Sequence, residues 1–352
     1  MALPSRKLGR TDIHLSVVGF GSAGLGQNSA RIADADARRV VTLAWDEGIR
    51  LFDTAPGYGI GLAEYRVGEA LYRKPRSAYV LTSKVGRRLR PHQTGDASDR
   101  SAWLDPLPFG VTWDFTYDGI MRSFEDSLLR LRTDRLDALY IHDLDHAHHA
   151  PDTLAGHWAD LRAGGIRALE SLRQSGTIRA FGAGINFGED IAPMLDAFDL
   201  DALLVAAPYT LLHQDALEAL DRCYERGVGV VIGAVFQSGL LATGLVEGAR
   251  YNYGAAIPEE VRQRLQGLIA ACERHAVALP AAALQFPLGH PAVAAVVPGA
   301  ISEAELTSNL RNARYAIPAD FWDDLRERGL IRREAPTPRS ALSLGAAAHE
   351  AR

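Results

Sequence analysis

The sequence predicts an α/β protein built as a closed (β/α)8 TIM barrel, and three observations predict it. Eight short apolar runs recur along the chain, segments of helical period lie between them, and no shift in composition marks a linker. Parallel strands covered on both faces read as near-continuous hydrophobic runs. Eight such βα units in one uninterrupted chain favour a closed barrel over a doubly wound open sheet.

The runs, in order, are LSVVGFG, RLFDTA, AYVLTSK, LDALYIH, IRAFGAG, DALLVAA, VGVVIGAV and AVAAVVPG. Helical periodicity appears over Asp34–Glu47, Tyr117–Leu131, Ile166–Gln174, Gln214–Glu225 and Glu259–Arg274. A long loop after the third strand, between Lys84 and Tyr117, and a C-terminal extension complete the plan. One domain is expected over residues 1–335, with a flexible, low-complexity tail over 336–352.

Composition narrows the function classes. With 47% hydrophobic residues and a formal net charge of -5, the chain offers no electrostatic footprint for nucleic acid. No apolar run reaches membrane-spanning length, and the N-terminus lacks an apolar core of signal-peptide length. Cys223 and Cys272 fall in helical segments without metal-type spacing, so a reducing cytoplasm is the expected setting.

The stretch VVGFGSAGLG carries G-x-G-x-x-G at Gly19, Gly21 and Gly24. A dinucleotide-binding Rossmann turn needs a helix opening at the third glycine and an acid about 20 residues further on. Here Gly24 is followed by the polar, irregular LGQNSARIADAD, helical character begins near Asp34, and Asp53 lies 29 residues past Gly24. The Rossmann reading fails, and the glycines read as a strand end where backbone approaches something closely.

In a barrel, chemistry gathers at the carboxyl ends of the strands. The predicted ends carry Ser22, Asp53, Lys84, His142 and Asn186, with Tyr58 close behind Asp53. A phenol has a reference pKa near 10, a neighbouring ammonium favours its ionised form, and a carboxylate can hold that ammonium in place. Asp53, Tyr58 and Lys84 therefore read as a proton relay, with Tyr58 exchanging the proton of a carbinol or carbonyl and His142 orienting the substrate oxygen. The set contains no activated nucleophile, so proton transfer coupled to hydride transfer is the chemistry it suits.

These residues resemble the aldo-keto reductase family. Phe52-Asp53-Thr54-Ala55-Pro56-Gly57-Tyr58-Gly59 is similar to its FDTAxxYG motif, LTSKVG places Lys84 at its lysine, and YIHD places His142 at its histidine. The order agrees across almost the whole chain, from KLGRTDIHLSVVGFGS to SNLRNA. SFEDSLLRL, LDHAHHA, GAGIN and PYTLLHQDAL resemble the bacterial aldose dehydrogenases, a group that includes L-fucose (D-threo-aldose) 1-dehydrogenases and pyridoxal 4-dehydrogenases.

The resemblance implies NAD(P) extended across the barrel mouth. Gly21, Ser22 and Ala23 would line its inner end, and Asn186 would hydrogen-bond the carboxamide. Phe236 would stack on the nicotinamide, and exposed backbone N–H groups of Ser238, Gly239 and Leu240 would wrap the pyrophosphate. Two departures stand out: Gly184-Ile185-Asn186 lacks the usual serine before the asparagine, and Ala206 stands where a glutamine is frequent. At the adenine end, aligning on Pro298 and Asn309 puts Gly299 and Glu305 where NADP-preferring members carry Lys and Arg. A 2′-phosphate would meet repulsion there instead of attraction, whereas a carboxylate can accept from a ribose hydroxyl. NAD is expected over NADP.

The loop after Lys84 contains Trp103, Phe109, Trp113 and Phe115, which could wall a substrate pocket; Trp113 is assigned there with Tyr58 and His142. A small sugar or aldehyde is the expected partner, with oxidation of a hemiacetal C1 to a lactone as the reaction and pyridoxal oxidation or general carbonyl reduction as alternatives. The histidine-rich HDLDHAHHA raises a metal reading through His142, Asp143, His146 and His148, but a solvated rim loop is preferred and no metal site is assigned. A metal-dependent barrel hydrolase would need ligands at several strand ends, and the first ends in GFGS. A non-catalytic barrel would not need Asp53, Tyr58, Lys84 and His142 together.

Overall fold

The computed structural model describes residues 3–93 and 100–338. The chain opens with an antiparallel hairpin, β1 (Ser5–Lys7) and β2 (His14–Ser16), paired through Arg6 and Leu15. The barrel begins at β3 (Phe20–Gly21), followed by α1 (Asp34–Asp46), β4 (Leu51–Asp53), α2 (Leu62–Leu71) and β5 (Val80–Val85). A second hairpin, β6 (Arg87–Pro91) with β7 (Phe109–Trp113), precedes α3 (Tyr117–Leu131) and β8 (Ala138–Ile141). Next come α4 (Pro151–Asp160), α5 (Ile166–Gln174), β9 (Ala180–Ile185), α6 (Ile191–Ala197), β10 (Ala202–Ala206), α7 (Leu217–Glu225) and β11 (Gly229–Gly233). The chain continues through α8 (Leu240–Thr243), α9 (Glu259–Arg274), α10 (Leu279–Gln285), β12 (Val293–Val296), α11 (Glu303–Ala313) and α12 (Ala319–Glu327).

Eight strands form one parallel sheet in the order β12-β11-β10-β9-β8-β5-β4-β3. Parallel bridges Val18–Val296 and Gly21–Gly299 join its two edges, so the sheet closes on itself. Closure leaves no unpaired edge, and the period-2 alternation of each strand then separates an inside from an outside. Leu51, Val80, Ala138, Tyr140, Ala180, Ala202, Leu204 and Val231 form the interior cluster, while Phe52, Leu81, Leu139, Phe181 and Leu203 belong to the larger cluster beneath the helices. Leu8, Ile13 and Leu15 of the N-terminal hairpin join the interior cluster and plug the end where the strands begin.

Several expectations are revised. The run LSVVGFG is split between two sheets, because Leu15 and Ser16 pair in the terminal hairpin while Val18, by a single bridge, and Phe20–Gly21 join the barrel. The expected long loop after the third strand contains the β6–β7 hairpin, whose halves lie too far apart in sequence to be read as one unit. The helix expected from Gln214 starts at Leu217; the side chain of Gln214 instead donates to the carbonyls of Thr210 and Leu211. Of the tail expected over 336–352, residues from 339 onward lie outside the described residues. Both cysteines are buried and free.

The opening glycines have a structural answer. A Cβ at Gly19 would lie 2.8 Å from the side chain of Leu51, and one at Gly21 would lie 2.6 Å from the carbonyl oxygen of Val297. What approaches so closely is the barrel wall itself, at its closing seam.

Candidate active site

Asp53 ends β4 and Lys84 lies in β5, on the same inward-facing alternation as Leu51 and Val80. Lys84 Nζ donates to Asp53 Oδ2 at 2.8 Å and to the carbonyl oxygen of Thr54 at 2.9 Å, and Thr82 Oγ1 donates to Asp53 Oδ1 at 2.7 Å. The ammonium stands 4.6 Å from the centroid of the Tyr58 ring and shares a hydrogen bond with its hydroxyl. His142 directly follows β8, and its ring meets that of Tyr58 edge-on with centroids 5.8 Å apart. Four side chains expected at one rim are thus within reach of one another.

The electrostatics differ from expectation at one point. Burial and Lys84 pull the Tyr58 phenol in opposite directions, and burial wins: its pKa is raised above the ordinary value rather than lowered. Lys84 itself, although burial opposes its charge, is held well above its ordinary value by Asp53 and Tyr58 and stays an ammonium. Burial pushes His142 well below the usual histidine range, with Arg87 and Lys84 adding to that and Asp143 opposing it. The ring is neutral at pH 7.

The cofactor residues expected from sequence fare unevenly. Ser22 is buried at the end of β3, and Ala23 opens a short 3-10 turn, Ala23–Gly26. Phe236 is half-buried, packed against the core after β11. Asn186 donates through Nδ2 to Asp143 Oδ1 and Asp145 Oδ2, both at 2.8 Å, so its amide nitrogen is committed to carboxylates. Two of the N–H groups expected to be exposed in the turn after Phe236 are taken up within the turn itself. Gly239 N–H donates to Phe236 and Leu240 N–H to Gln237, through three successive left-handed residues, Gln237, Ser238 and Gly239. Pro298 is buried and Gly299 exposed; Asn309 donates to the Gly299 carbonyl at 3.1 Å. Ser302 caps α11 by accepting from Glu305 N–H, and Glu305 Oε2 accepts from Ile301 N–H at 2.9 Å, a variant of the capping box that reaches the residue before the cap and leaves the carboxylate exposed.

Of the loop aromatics, Phe115 is wholly buried in the core. Trp113 stacks on Phe115 and meets His149 with centroids 4.4 Å apart, under the Arg87 guanidinium at 4.2 Å. The indole set against Tyr58 is that of Trp103, centroids 6.2 Å apart. Its segment is tied to the rim by Leu104 N–H to Gln27 and Leu107 N–H to Gly59. Sequence reading missed Thr54, Thr82 and Arg87; the alternation Val80, Thr82, Lys84 was the available signal for the second. Among the described residues one group, Asp143, Asp145 and His148, could converge on a cation, but Asn186 and Arg87 already occupy the Asp143 oxygens.

A neutral imidazole, a phenol and a lysine–aspartate pair at the mouth of a closed (β/α)8 barrel define a class of enzyme that moves a proton to or from a substrate oxygen without a covalent intermediate. The comparisons agree. Residues 17–328 match the Aldo/keto reductase family, and the chain belongs to it. It is similar to pyridoxal 4-dehydrogenase of Microbacterium luteolum, 39% identical over 94% of this chain and 98% of that one. D-threo-aldose 1-dehydrogenase of a Pseudomonas species is 40% identical over 92% and 96%. Aldo-keto reductase AKR11C1 from Bacillus halodurans superposes with a TM-score of 0.72 at 27% identity, covering 96% and 98%. The enzyme is therefore an oxidoreductase that uses a nicotinamide cofactor. The site fits such a group: Ser22 Oγ, Thr54 Oγ1 and His142 Nδ1 are buried without a hydrogen-bond partner, and buried polar atoms left unpaired are costly unless something arrives to pair them.

Proposed function

We propose that the protein is an NAD-preferring aldose 1-dehydrogenase, oxidising the C1 hemiacetal of a sugar such as L-fucose to its lactone. The carrying observation is the buried Asp53–Lys84 pair with Tyr58 and His142 beside it. Tyr58, as the phenolate that Lys84 stabilises, takes the anomeric hydroxyl proton as general base and becomes the phenol, while Asp53 holds Lys84 in place. Neutral His142 orients the substrate oxygen. When bound, the nicotinamide supplies the hydride acceptor. Ser22, Asn186 and Phe236 are the residues assigned to its ring end, and Gly299, Glu305 and Asn309 to its adenine end. Similarity to an aldose dehydrogenase, together with the Trp103 indole set against Tyr58, supports a substrate with a flat apolar face. Similarity to a pyridoxal dehydrogenase keeps a pyridine aldehyde as the second reading, since the same indole would stack on it.

Absorbance at 340 nm across a panel of aldoses and pyridoxal, with both nucleotides, tests this. The expected result is turnover of an aldose with NAD that withstands a chelator. Turnover of pyridoxal alone would select the second reading. A preference for NADP by more than about tenfold, roughly 1.4 kcal/mol, would overturn the role of Glu305.

A further inference from the structure

The residue after His142 is held in an unusual way. Asp143 has φ of +48°, a left-handed backbone that a non-glycine residue adopts only when its surroundings over-determine it. Three elements do so. Arg87 of β6 donates through Nη2 to Asp143 Oδ2, and Asn186 beyond β9 donates to Oδ1 at 2.8 Å. His149 of the following loop hydrogen-bonds the Asp143 carbonyl through Nε2 at 3.0 Å. The same Oδ2 lies 3.3 Å from His142 Nε2.

We propose that the Arg87–Asp143 ion pair is a positioning device for His142: the carboxylate selects the ring's tautomer, and the guanidinium cancels the charge that would favour protonating it. A lone pair on Nε2 would face a carboxylate oxygen, so the neutral ring carries its proton on Nε2 and leaves Nδ1 as the acceptor. Nδ1 is the buried atom without a partner. The charged and titratable groups facing this ring come from every side: Asp143 on its own strand end, Arg87 from the hairpin, Lys84 from β5, His148 from the following loop and Tyr58 from the turn before α2. Of these, Asp143 pulls towards protonation, and Arg87 opposes it while sharing the same oxygen. Arg87 also lies over the Trp113 ring, so the hairpin after β5 sets both the guanidinium and, through it, the histidine.

The proposal rests on His142 as the residue that orients substrate, but its test does not need turnover. Long-range 1H–15N correlation on protein labelled at histidine, with the His142 resonances assigned by difference against His142→Gln, reports tautomer and titration directly. In the unaltered protein His142 should hold its proton on Nε2 and stay neutral a full pH unit below the usual midpoint of about 6.5. Arg87→Gln should raise its midpoint by about one unit or more, and its kcat/KM, taken as a ratio to the unaltered protein at the same pH, should be lower at pH 5 than at pH 8. Arg87→Lys should keep the unaltered titration, Asp143→Asn should mix the tautomers, and the double variant Arg87→Gln with Asp143→Asn should return the midpoint downward. Unchanged nitrogen shifts in Arg87→Gln and Asp143→Asn would overturn the proposal, as would losses equal at every pH and additive in the double variant. If no aldose is oxidised, the functional reading falls while the nitrogen titration still decides this one.

Discussion

One strand of this barrel carries two buried ion pairs on opposite faces. From β5, Thr82 and Lys84 point inward to Asp53, while Ser83 between them points outward and donates to Glu64 Oε1 of α2 at 2.7 Å. Arg130 of α3 completes the outer cluster through Glu64 Oε2 and Ser127 Oγ. Burial does not tell the pairs apart: Lys84 is 1% exposed, Asp53 4%, Glu64 0% and Arg130 7%. What differs is the neighbourhood. The inner cation also faces a third titratable group, Tyr58, and unpartnered polar atoms lie around it at the barrel mouth. Around the outer pair every charged group is closed off by the α2–α3 contact. A buried ion pair is weak evidence of a site, and an open valence beside it is the better marker.

The largest effect that would break this contrast is at the inner pair. Removing both charges together, Asp53→Asn with Lys84→Met, leaves no uncompensated buried ion, so the fold should survive. Loss of the ammonium removes the group that lowers the Tyr58 pKa and leaves burial and Asp143 raising it, and kcat should fall by about a thousandfold or more. Nucleotide affinity, read by fluorescence titration, should change little. Retention of turnover would remove Lys84 from the relay.

The outer pair should respond the other way. Arg130→Met strands a buried Glu64 carboxylate and should cost about 3–5 kcal/mol, read by urea denaturation. Turnover per folded molecule should hold within about threefold, because the hydrogen-bond partners of Arg130, Glu64 and Ser127, lie on helices outside the sheet. A fall in kcat without loss of stability would mean that the outer pair also tunes Lys84 through Ser83.

The inner group can be sharpened by pH. With its pKa raised, Tyr58 is protonated throughout the neutral range, so its acid form is abundant and its base form scarce. Sugar oxidation, which needs the base, should therefore rise about tenfold per pH unit through pH 7, while carbonyl reduction, which needs the acid, should stay flat over the same range. A bell centred near neutrality for oxidation would contradict the dominance of burial at Tyr58.

The two pairs were also unequally legible. Asp53, Tyr58, Lys84 and His142 could be read because each stands at or beside a strand end, and barrels put their chemistry there. Glu64 and Arg130 lie on helices among other charged residues, where a buried partner looks like any solvated face. The hairpin that brings Arg87 to Asp143 was invisible for a related reason: RRLRP and FGVTW are separated by a long polar stretch, and pairing at that distance leaves no local pattern. The sign of the Tyr58 shift was misread because sequence shows the neighbouring charge but not the depth of burial. The commitment of Asn186 to two carboxylates was hidden because both partners sit in the histidine-rich loop, which reads as solvent-exposed.

The smallest expected effect lies farthest from both pairs, at the exposed start of α11. Glu305 caps the start of α11 through Ile301 N–H, and under the proposed cofactor placement its charge would also face a 2′-phosphate. Glu305→Gln separates them, because glutamine keeps the reach of the capping box and drops the charge. Discrimination against NADP should then shrink by up to about tenfold, the scale of one exposed charge interaction, with KM for NAD nearly unchanged. The melting temperature should move by no more than a few degrees, since a lost cap costs about 1 kcal/mol and this one is retained. If selectivity is unmoved while Glu305→Ala melts lower, the residue serves the helix alone. Any preference for NAD would then have to arise from the absence of cations at positions 299 and 305 rather than from the carboxylate.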